Sequence, residues 1–273
     1  MPKAKSGLDG AVQVAETYDS LASYVEGFRE GHFNLIVLVG SWGIGKSRLV
    51  KDVLGKKGCW IEGTSTAFGI YASLYRNRDK QVVIDDVDSI YTDRHCVSLL
   101  KSICGTEERK RVYWNARASF LEREGLPRDF ETSSRVMIIG NEWRTLNRNV
   151  AALEDRGLVL RFEPSAAEVH ARAGEWFNDA EIYDWFGKNI HRIDVHSFRS
   201  YVKAAQLKAA GMAWKNILHG SLSSGHREQL AIDLIEDSSY AGSEERARAF
   251  ERRGGGSRST FFAYKKKYEE ATS

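Results

Sequence analysis

The sequence predicts an α/β fold: a five-stranded parallel sheet with flanking helices, followed by a part made only of helices. Two observations favour this prediction. Short apolar runs rich in β-branched residues alternate with segments of helical periodicity up to Phe162, as in buried parallel sheets. After Pro164 every periodic segment is helical. The predicted strands are Leu35–Gly40, Cys59–Glu62, Gln81–Asp85, Arg135–Asn141 and Leu158–Phe162.

Composition places the chain among ordinary soluble proteins. It has 273 residues, 42% of them hydrophobic and 28% charged, with a net charge of +3. Its three cysteines form no C-x-x-C pair, which indicates a reducing compartment without disulfides. The sequence shows neither an apolar leader nor a membrane-length apolar segment. We therefore expect a cytoplasmic protein with no membrane partner.

The first helix is predicted from Ala11 to Phe28, after a loose tail, because apolar residues recur there at helical spacing. The next stretch carries the strongest chemical signal. The apolar run from Leu35 ends at Gly40, and the G-x-x-x-x-G-K-[ST] spacing of a phosphate-binding loop then extends to Ser47. The alternative is a glycine-rich turn between a core strand and a helix.

In a phosphate-binding loop the backbone N–H groups cradle a polyphosphate at the start of a helix. Lys46 would reach the β- and γ-phosphates of ATP, and the Ser47 hydroxyl would ligate Mg²⁺. Nothing in the sequence explains a tryptophan inside this loop. The predicted nucleotide contacts are Gly40, Ser41, Trp42, Gly43, Ile44, Gly45, Lys46, Ser47 and Arg48.

Two later strands end in polar residues that suit the same chemistry. Asp85 and Asp86 follow an aliphatic run, where Asp85 would hold Mg²⁺ and Asp86 would polarise the water that attacks the γ-phosphate. An ordinary acidic strand-to-loop junction is the alternative. Asn141 ends the next long strand and would hydrogen-bond the attacking water or the γ-phosphate. Between these strands, the basic and aromatic residues 111–117 suit single-stranded nucleic acid, but half-buried packing explains the same pattern.

Taken together, the phosphate loop, the paired acids, the strand ending in Asn141 and Arg156 about fifteen residues later resemble the AAA+ ATPases. The resemblance covers most of Ala11 to Gly211. It implies that Asn141 is the first sensor and that Arg156 is an arginine finger reaching a neighbouring subunit's nucleotide, in a ring or filament. Arg156 as a helix cap is the alternative, and the rival arginines are Arg144, Arg148 and Arg161. The family usually has Glu where this chain has Asp86, which implies slow, switch-like hydrolysis.

The resemblance also divides the chain into a nucleotide-binding domain over residues 11–163, a helical lid over 164–220 and a C-terminal element over 221–273. Arg199, near the start of a lid helix, matches the second sensor and would contact the γ-phosphate. A solvated surface arginine is the alternative.

The C-terminal element has the pattern of a helix-turn-helix, with a recognition helix from Ser257 to Glu270 after three glycines. Its basic residues would contact DNA phosphates: Arg258, Lys265, Lys266 and Lys267. A solvated basic tail or an oligomer contact is the alternative.

These observations predict a Mg²⁺-dependent ATPase acting on DNA in replication initiation, helicase loading or DNA remodelling, as replication initiators and phage or mobile-element ATPases do. A helicase, transposase or other replication protein would be its partner. The second hypothesis is a regulatory ATP switch of the NB-ARC type that does not act on DNA. A small-molecule P-loop kinase is a third, which the strand ending in Asn141 and the long helical tail argue against.

Overall fold

The computed structural model describes residues 12–55, 58–87, 93–114, 118–141, 156–190, 197–212, 214 and 224–272. The chain divides into two compact units, Met1–Pro164 and Ser165–Ser273. In the first unit the strands are β1 Gln13–Ala15, β2 Leu35–Gly40, β3 Cys59–Glu62, β4 Val82–Asp85, β5 Lys110–Tyr113, β6 Asp129–Thr132, β7 Val136–Gly140 and β8 Leu158–Phe162. Its helices are α1 Tyr18–Glu30, α2 Lys46–Leu54, α3 Ala67–Arg76, α4 Arg94–Ile103 and α5 Ala118–Glu124.

The main sheet of the first unit has six parallel strands in the order β1-β8-β2-β7-β4-β3. The predicted α/β class and parallel sheet are confirmed, but the predicted count of five strands is wrong. The additional strand is β1, whose residues the sequence pattern assigned to the first helix. Its residues pair in parallel with β8, and the helix begins only at Tyr18, where the Thr17 side chain accepts a hydrogen bond from the Ser20 N–H. A tertiary pairing therefore overrides the local periodicity.

Strand order decides which polar strand ends meet. β2 lies in the centre, and its residues from Leu35 to Val39 are buried. β7 separates β2 from the acidic strand β4. Because carboxyl ends of parallel strands share one edge of a sheet, Asn141 after β7 lies between the phosphate loop after β2 and Asp85 at the end of β4.

A second, two-stranded antiparallel sheet pairs β5 with β6, a strand that the sequence pattern did not predict. This small sheet explains the alternation of residues 111–114, the first half of the basic and aromatic segment 111–117, as half-buried packing. Val112 and Trp114 are buried, and the Trp114 ring packs edge to face on Phe68 at 5.4 Å between centroids. Arg111 faces solvent and forms a 2.7 Å ion pair with Asp129 across the sheet. Residues 115–117 of the predicted segment lie outside the described residues.

Gly157, just before β8, packs too closely on β2 to carry a side chain. A Cβ there would lie 2.6 Å from the Leu35 Cβ and 2.7 Å from the Leu35 carbonyl oxygen. We expect Gly157→Ala to lower the free energy of unfolding by about 1 to 3 kcal/mol, as other overpacking substitutions do. Urea denaturation measures this loss. Gly105→Ala is the matched control, since its Cβ would lie at an ordinary 3.6 Å from the nearest atom, and an equal loss in both variants would contradict the explanation.

The second unit contains only helices in its described part. The first three are α6 Ala166–Gly174, α7 Ala180–Asn189 and α8 Phe198–Ala209. They share an aromatic core in which the Phe186 and Tyr201 rings stack at 4.0 Å and Trp214 is buried. The predicted lid helix from Trp214 to Leu218 lies, apart from Trp214 itself, outside the described residues.

Three further helices, α9 Ser224–Glu236, α10 Ser243–Arg252 and α11 Arg258–Thr272, surround a separate apolar cluster. We call residues 224–272 the three-helix module. The glycine turn between α10 and α11 is built for close packing. Gly254 and Gly256 have φ of 76° and 122°, and a Cβ at Gly255 would lie 2.1 Å from the Phe250 ring. Glycine is therefore required at each of the three positions.

None of the helices in the described part of the chain combines the length and the apolar composition needed to cross a bilayer.

Candidate nucleotide-binding site

The loop between β2 and α2 has two glycines with positive φ, a feature that a phosphate-binding loop would need. Gly43 and Gly45 have φ of 75° and 82°, in the left-handed region that glycine adopts without strain. A Cβ at Gly40 would lie 2.6 Å from the Phe162 carbonyl oxygen, so glycine is also needed where the loop leaves the sheet. α2 begins at Lys46, and no side chain caps its N-terminus. The positive end of its dipole therefore points into the loop.

Lys46 is folded back over this loop. Only 5% of its surface is exposed, and its Nζ donates to the carbonyl oxygens of Gly40 and Ser41, at 2.7 Å each. A third contact, at 3.3 Å, reaches Asn141 Oδ1. The ammonium group thus lies in the cradle and bonds to acceptors that a phosphate oxygen can replace.

Asp85 and Ser47 provide two oxygen atoms beside this lysine that could ligate a metal ion. The Ser47 side chain hydrogen-bonds the Asp85 carboxylate. Burial raises the pKa of the Asp85 carboxyl, while the Ser47 hydrogen bond opposes the shift. A hydroxyl and a carboxylate are the ligands that Mg²⁺ prefers next to nucleotide phosphates, so these two residues fit the ion.

Asp86 is held in an unusual backbone conformation. Its φ is +53°, in the left-handed region that non-glycine residues seldom adopt, and its N–H donates to the Ile139 carbonyl at 3.1 Å. The Asn141 Nδ2 lies 3.5 Å from Asp86 Oδ1. Asn141 therefore contacts both Lys46 and Asp86. The backbone strain at Asp86 is of a kind typical of functional sites.

Two residues at this site escaped the sequence interpretation. Tyr18, at the start of α1, donates its hydroxyl proton to the Ile44 carbonyl at 2.8 Å and braces the phosphate loop. Glu62, at the end of β3, is in register with Asp85 and pairs with Lys51. Glu62 could have been found from the sequence, because it is a polar residue at the end of a third predicted strand. No sequence signal marked Tyr18, because its contact spans 26 residues.

Arg156 lies at the opposite edge of the sheet from the phosphate loop. Its neighbour Gly157 packs on Leu35, the first residue of β2, whereas the loop follows the last residue. Five residue steps along β2 separate the two edges by about 17 Å. The Arg156 guanidinium donates to the Lys101 carbonyl at 2.7 Å. It therefore cannot reach the loop of its own chain.

Of the rival arginines, only Arg161 lies among the described residues. It is in register with Val39 near the loop and forms a 3.6 Å ion pair with Glu163. Arg144 and Arg148 lie outside the described residues. Arg199 belongs to the second unit, in the first turn of α8, where its N–H donates to the Ser197 hydroxyl at 3.2 Å.

The remaining loop positions differ in exposure. Ile44 is buried, Gly43 is half-buried, and Ser41 and Arg48 are exposed. Trp42 is 55% exposed, and nothing in the described structure explains a tryptophan at this position.

We expect Asp85→Asn to raise the melting temperature of the ligand-free protein while weakening Mg²⁺-dependent ATP binding. Burial raises the Asp85 pKa, so the native state holds this proton more tightly than the unfolded chain. The stability linked to this proton is present below the unfolded pKa and is lost as pH rises through the raised folded value. At neutral pH the charged carboxylate therefore costs stability, and asparagine removes that cost.

Thermal melts with and without MgATP check this prediction. Asp52→Asn, at an exposed position on α2, is the control and should change neither value. A lower melting temperature for Asp85→Asn, or an unchanged Mg²⁺ dependence, would contradict it.

The described residues keep the order on which the resemblance to AAA+ ATPases rests: strand and phosphate loop, strand and acids, strand and Asn141, then Arg156.

No known family model matches the chain. In sequence it is similar to an uncharacterized 36.7 kDa protein in the nrdC-mobD intergenic region of Enterobacteria phage T4, with 28% identity over 245 residues, or 78% of this chain and 75% of that protein. In structure it is similar to the crystal structure of a DNA replication initiation factor, with a TM-score of 0.41 and 15% identity over 92% of this chain and 87% of that one. Neither unit alone makes up 78% of the chain, so the similarity to the phage protein extends into both.

Proposed function

We propose that this protein binds ATP with Mg²⁺ and hydrolyses it. The observation that carries the proposal is the convergence of Lys46, Asn141 and Asp86 behind a glycine loop whose backbone is shaped for phosphate. These side chains come from positions far apart in the sequence, and the strand order brings them to one edge of the sheet. A glycine-rich structural turn has no need of a buried lysine or of a strained aspartate.

Each residue has a defined task. Lys46 exchanges the Gly40 and Ser41 carbonyls for the β- and γ-phosphate oxygens. Ser47 and Asp85 would hold Mg²⁺, and the bound ion would supply positive charge beside the phosphate oxygens. Asp86 polarises the attacking water, and Asn141 orients that water from between Asp86 and Lys46. The 3.5 Å contact of Asn141 with the short Asp86 side chain fits slow hydrolysis.

The active form is an assembly, a ring or a filament, in which Arg156 completes the site of a neighbouring subunit. Support comes from its position at the opposite edge of the sheet from the loop of its own chain. The rise per residue along β2 separates these two edges by about 17 Å. A guanidinium that spreads donors over the γ-phosphoryl group would stabilise the charge that develops there during hydrolysis. Arg199 would add a contact from the helical unit.

The protein acts on DNA through its three-helix module, in replication initiation, helicase loading or DNA remodelling with a helicase, transposase or replication partner. Support comes from the tight glycine turn between α10 and α11 and from the exposed arginines of α10. A regulatory ATP switch that leaves DNA untouched is the second candidate. The short Asp86 side chain favours it, because slow hydrolysis suits a switch.

The test is the ATPase rate of the full chain against protein concentration, with and without DNA. A rate per subunit that rises with concentration and increases with DNA supports the assembled, DNA-coupled ATPase. ATP binding with a rate that is flat in concentration and indifferent to DNA would favour the switch. Failure to bind ATP would overturn both.

A further inference from the structure

We propose that the DNA phosphate backbone is bound by the exposed arginines of α10, namely Arg248, Arg252 and the adjoining Arg253, and not by the basic run of α11. The inference rests on the proposed DNA function and names the surface that carries it. Residues 224–272 contain nine Lys or Arg and nine Asp or Glu residues. Since the module is neutral overall, only the placement of its charges can create a positive surface.

The cations of α11 are each paired with a carboxylate. Arg258 holds Glu244 with two N–H groups, one of them at 2.9 Å, and so joins the start of α11 to α10. The three lysines are paired with carboxylates on α9 or α11: Lys265 with Glu269 at 3.3 Å, Lys266 with Glu270 at 3.8 Å, and Lys267 with Glu228 at 2.7 Å. The basic run therefore presents little net positive charge to solvent.

The acids of α10 are engaged at the ends of the helix. Glu244 pairs with Arg258. Glu245 accepts the Ala241 N–H at 2.9 Å and caps its own helix. Glu251 accepts the N–H of Arg258, also at 2.9 Å. Glu244 and Glu251 therefore join α10 to α11, while Glu245 holds the backbone just before α10.

Two arginines of α10 differ from the cations of α11 because neither is in an ion pair with a described carboxylate. Arg248 and Arg252 are both exposed, and no carboxylate in the described part of the chain forms an ion pair with either. They are four residues apart, so they lie one turn apart on the same face of the helix. Arg253 donates to the hydroxyl of Tyr240 at 3.1 Å, and its charge also acts on the nearby Asp237 carboxylate. Arg248 and Arg252 thus form a positive pair on one face of α10, with Arg253 next in the chain, and guanidinium groups bind phosphate through paired N–H donors.

The test compares two pairs of substitutions that each remove two positive charges from the full chain, R248Q/R252Q and K266Q/K267Q. Binding to a labelled duplex of about 30 base pairs is measured by anisotropy at several salt concentrations, because each phosphate contact adds about 0.9 to the salt slope. We expect the arginine pair to lose about tenfold or more in affinity and about 1.8 in slope. The lysine pair should lose about threefold or less, and R248K/R252K should keep the wild-type slope because it keeps both charges.

Each alternative result is decisive. A larger loss of affinity and slope in the lysine pair, with wild-type binding intact, would overturn this inference and leave the DNA function standing. A wild-type chain that does not bind DNA would overturn the DNA function and, with it, the inference. Thermal melts followed by circular dichroism distinguish a folding defect from a loss of DNA binding. Both glutamine variants should have the melting temperature of the wild type, because the substituted residues are exposed.

Discussion

Substitution of Lys46 by methionine is expected to lower ATP affinity by about ten- to a hundredfold and to remove hydrolysis. The Lys46 ammonium is the buried cation of the phosphate loop, and hydrogen bonds from a charged donor contribute about 1.5 to 3 kcal/mol each. Methionine has nearly the same length but no charge, so it cannot bind the β- and γ-phosphates. It also leaves the Gly40 and Ser41 carbonyls without the donor that they have in the ligand-free protein.

Titration calorimetry measures the affinity, and phosphate release measures the rate. Lys51→Met is the matched control, since Lys51 lies on the same helix but is half exposed and pairs with Glu62. The control should bind ATP as the wild type does. Equal losses in the two variants would mean that the charge of α2 as a whole matters, and an unaffected Lys46 variant would remove the proposed nucleotide site.

Arg156→Ala is expected to lower the hydrolysis rate by about 10³- to 10⁵-fold while leaving ATP binding intact, the range that arginine fingers supply in other phosphoryl-transfer enzymes. The reason is positional. Arg156 is too far from the loop of its own chain to contact ATP bound there, so in the proposed assembly its loss would affect the hydrolysis step at a neighbouring subunit. Loss of its hydrogen bond to Lys101 should cost about 0.5 to 1.5 kcal/mol of stability, which a thermal melt reports separately.

Mixing the Arg156→Ala and Lys46→Met variants gives the sharpest form of this test. Each is inactive alone, but a mixed interface joins an intact phosphate loop from one chain to an intact Arg156 from the other. Recovery of part of the wild-type rate on mixing supports a shared site. If mixing restores nothing, or if Arg156→Ala alone hydrolyses ATP normally, the arginine-finger role is wrong. Arg156 would then serve only to hold Lys101 through its hydrogen bond.

Most of the sheet could be predicted because each central strand is buried on both faces and is therefore a continuous apolar run. β2, β4 and β7 have this pattern, and β8 has it apart from a partly exposed Arg161. β1 and β6 could not be predicted in this way. β1 has only three residues and is stabilised by its pairing with β8, and β6 alternates in burial within a small separate sheet. Short strands of this kind depend on their partners more than on their own residues.

By itself the sequence predicts a phosphate-binding loop, because the chemistry of such a loop depends on adjacent residues: glycines that permit positive φ, a lysine and a hydroxyl. It also determined which polar residues end the strands. Only the tertiary structure decided how these residues combine. Strand order brings Asn141 between Lys46 and Asp86, and it leaves Arg156 at the far edge of the sheet. The tertiary structure also decided which cations of the three-helix module pair with a carboxylate, since a basic run in the sequence carries no information about the carboxylates that fold against it.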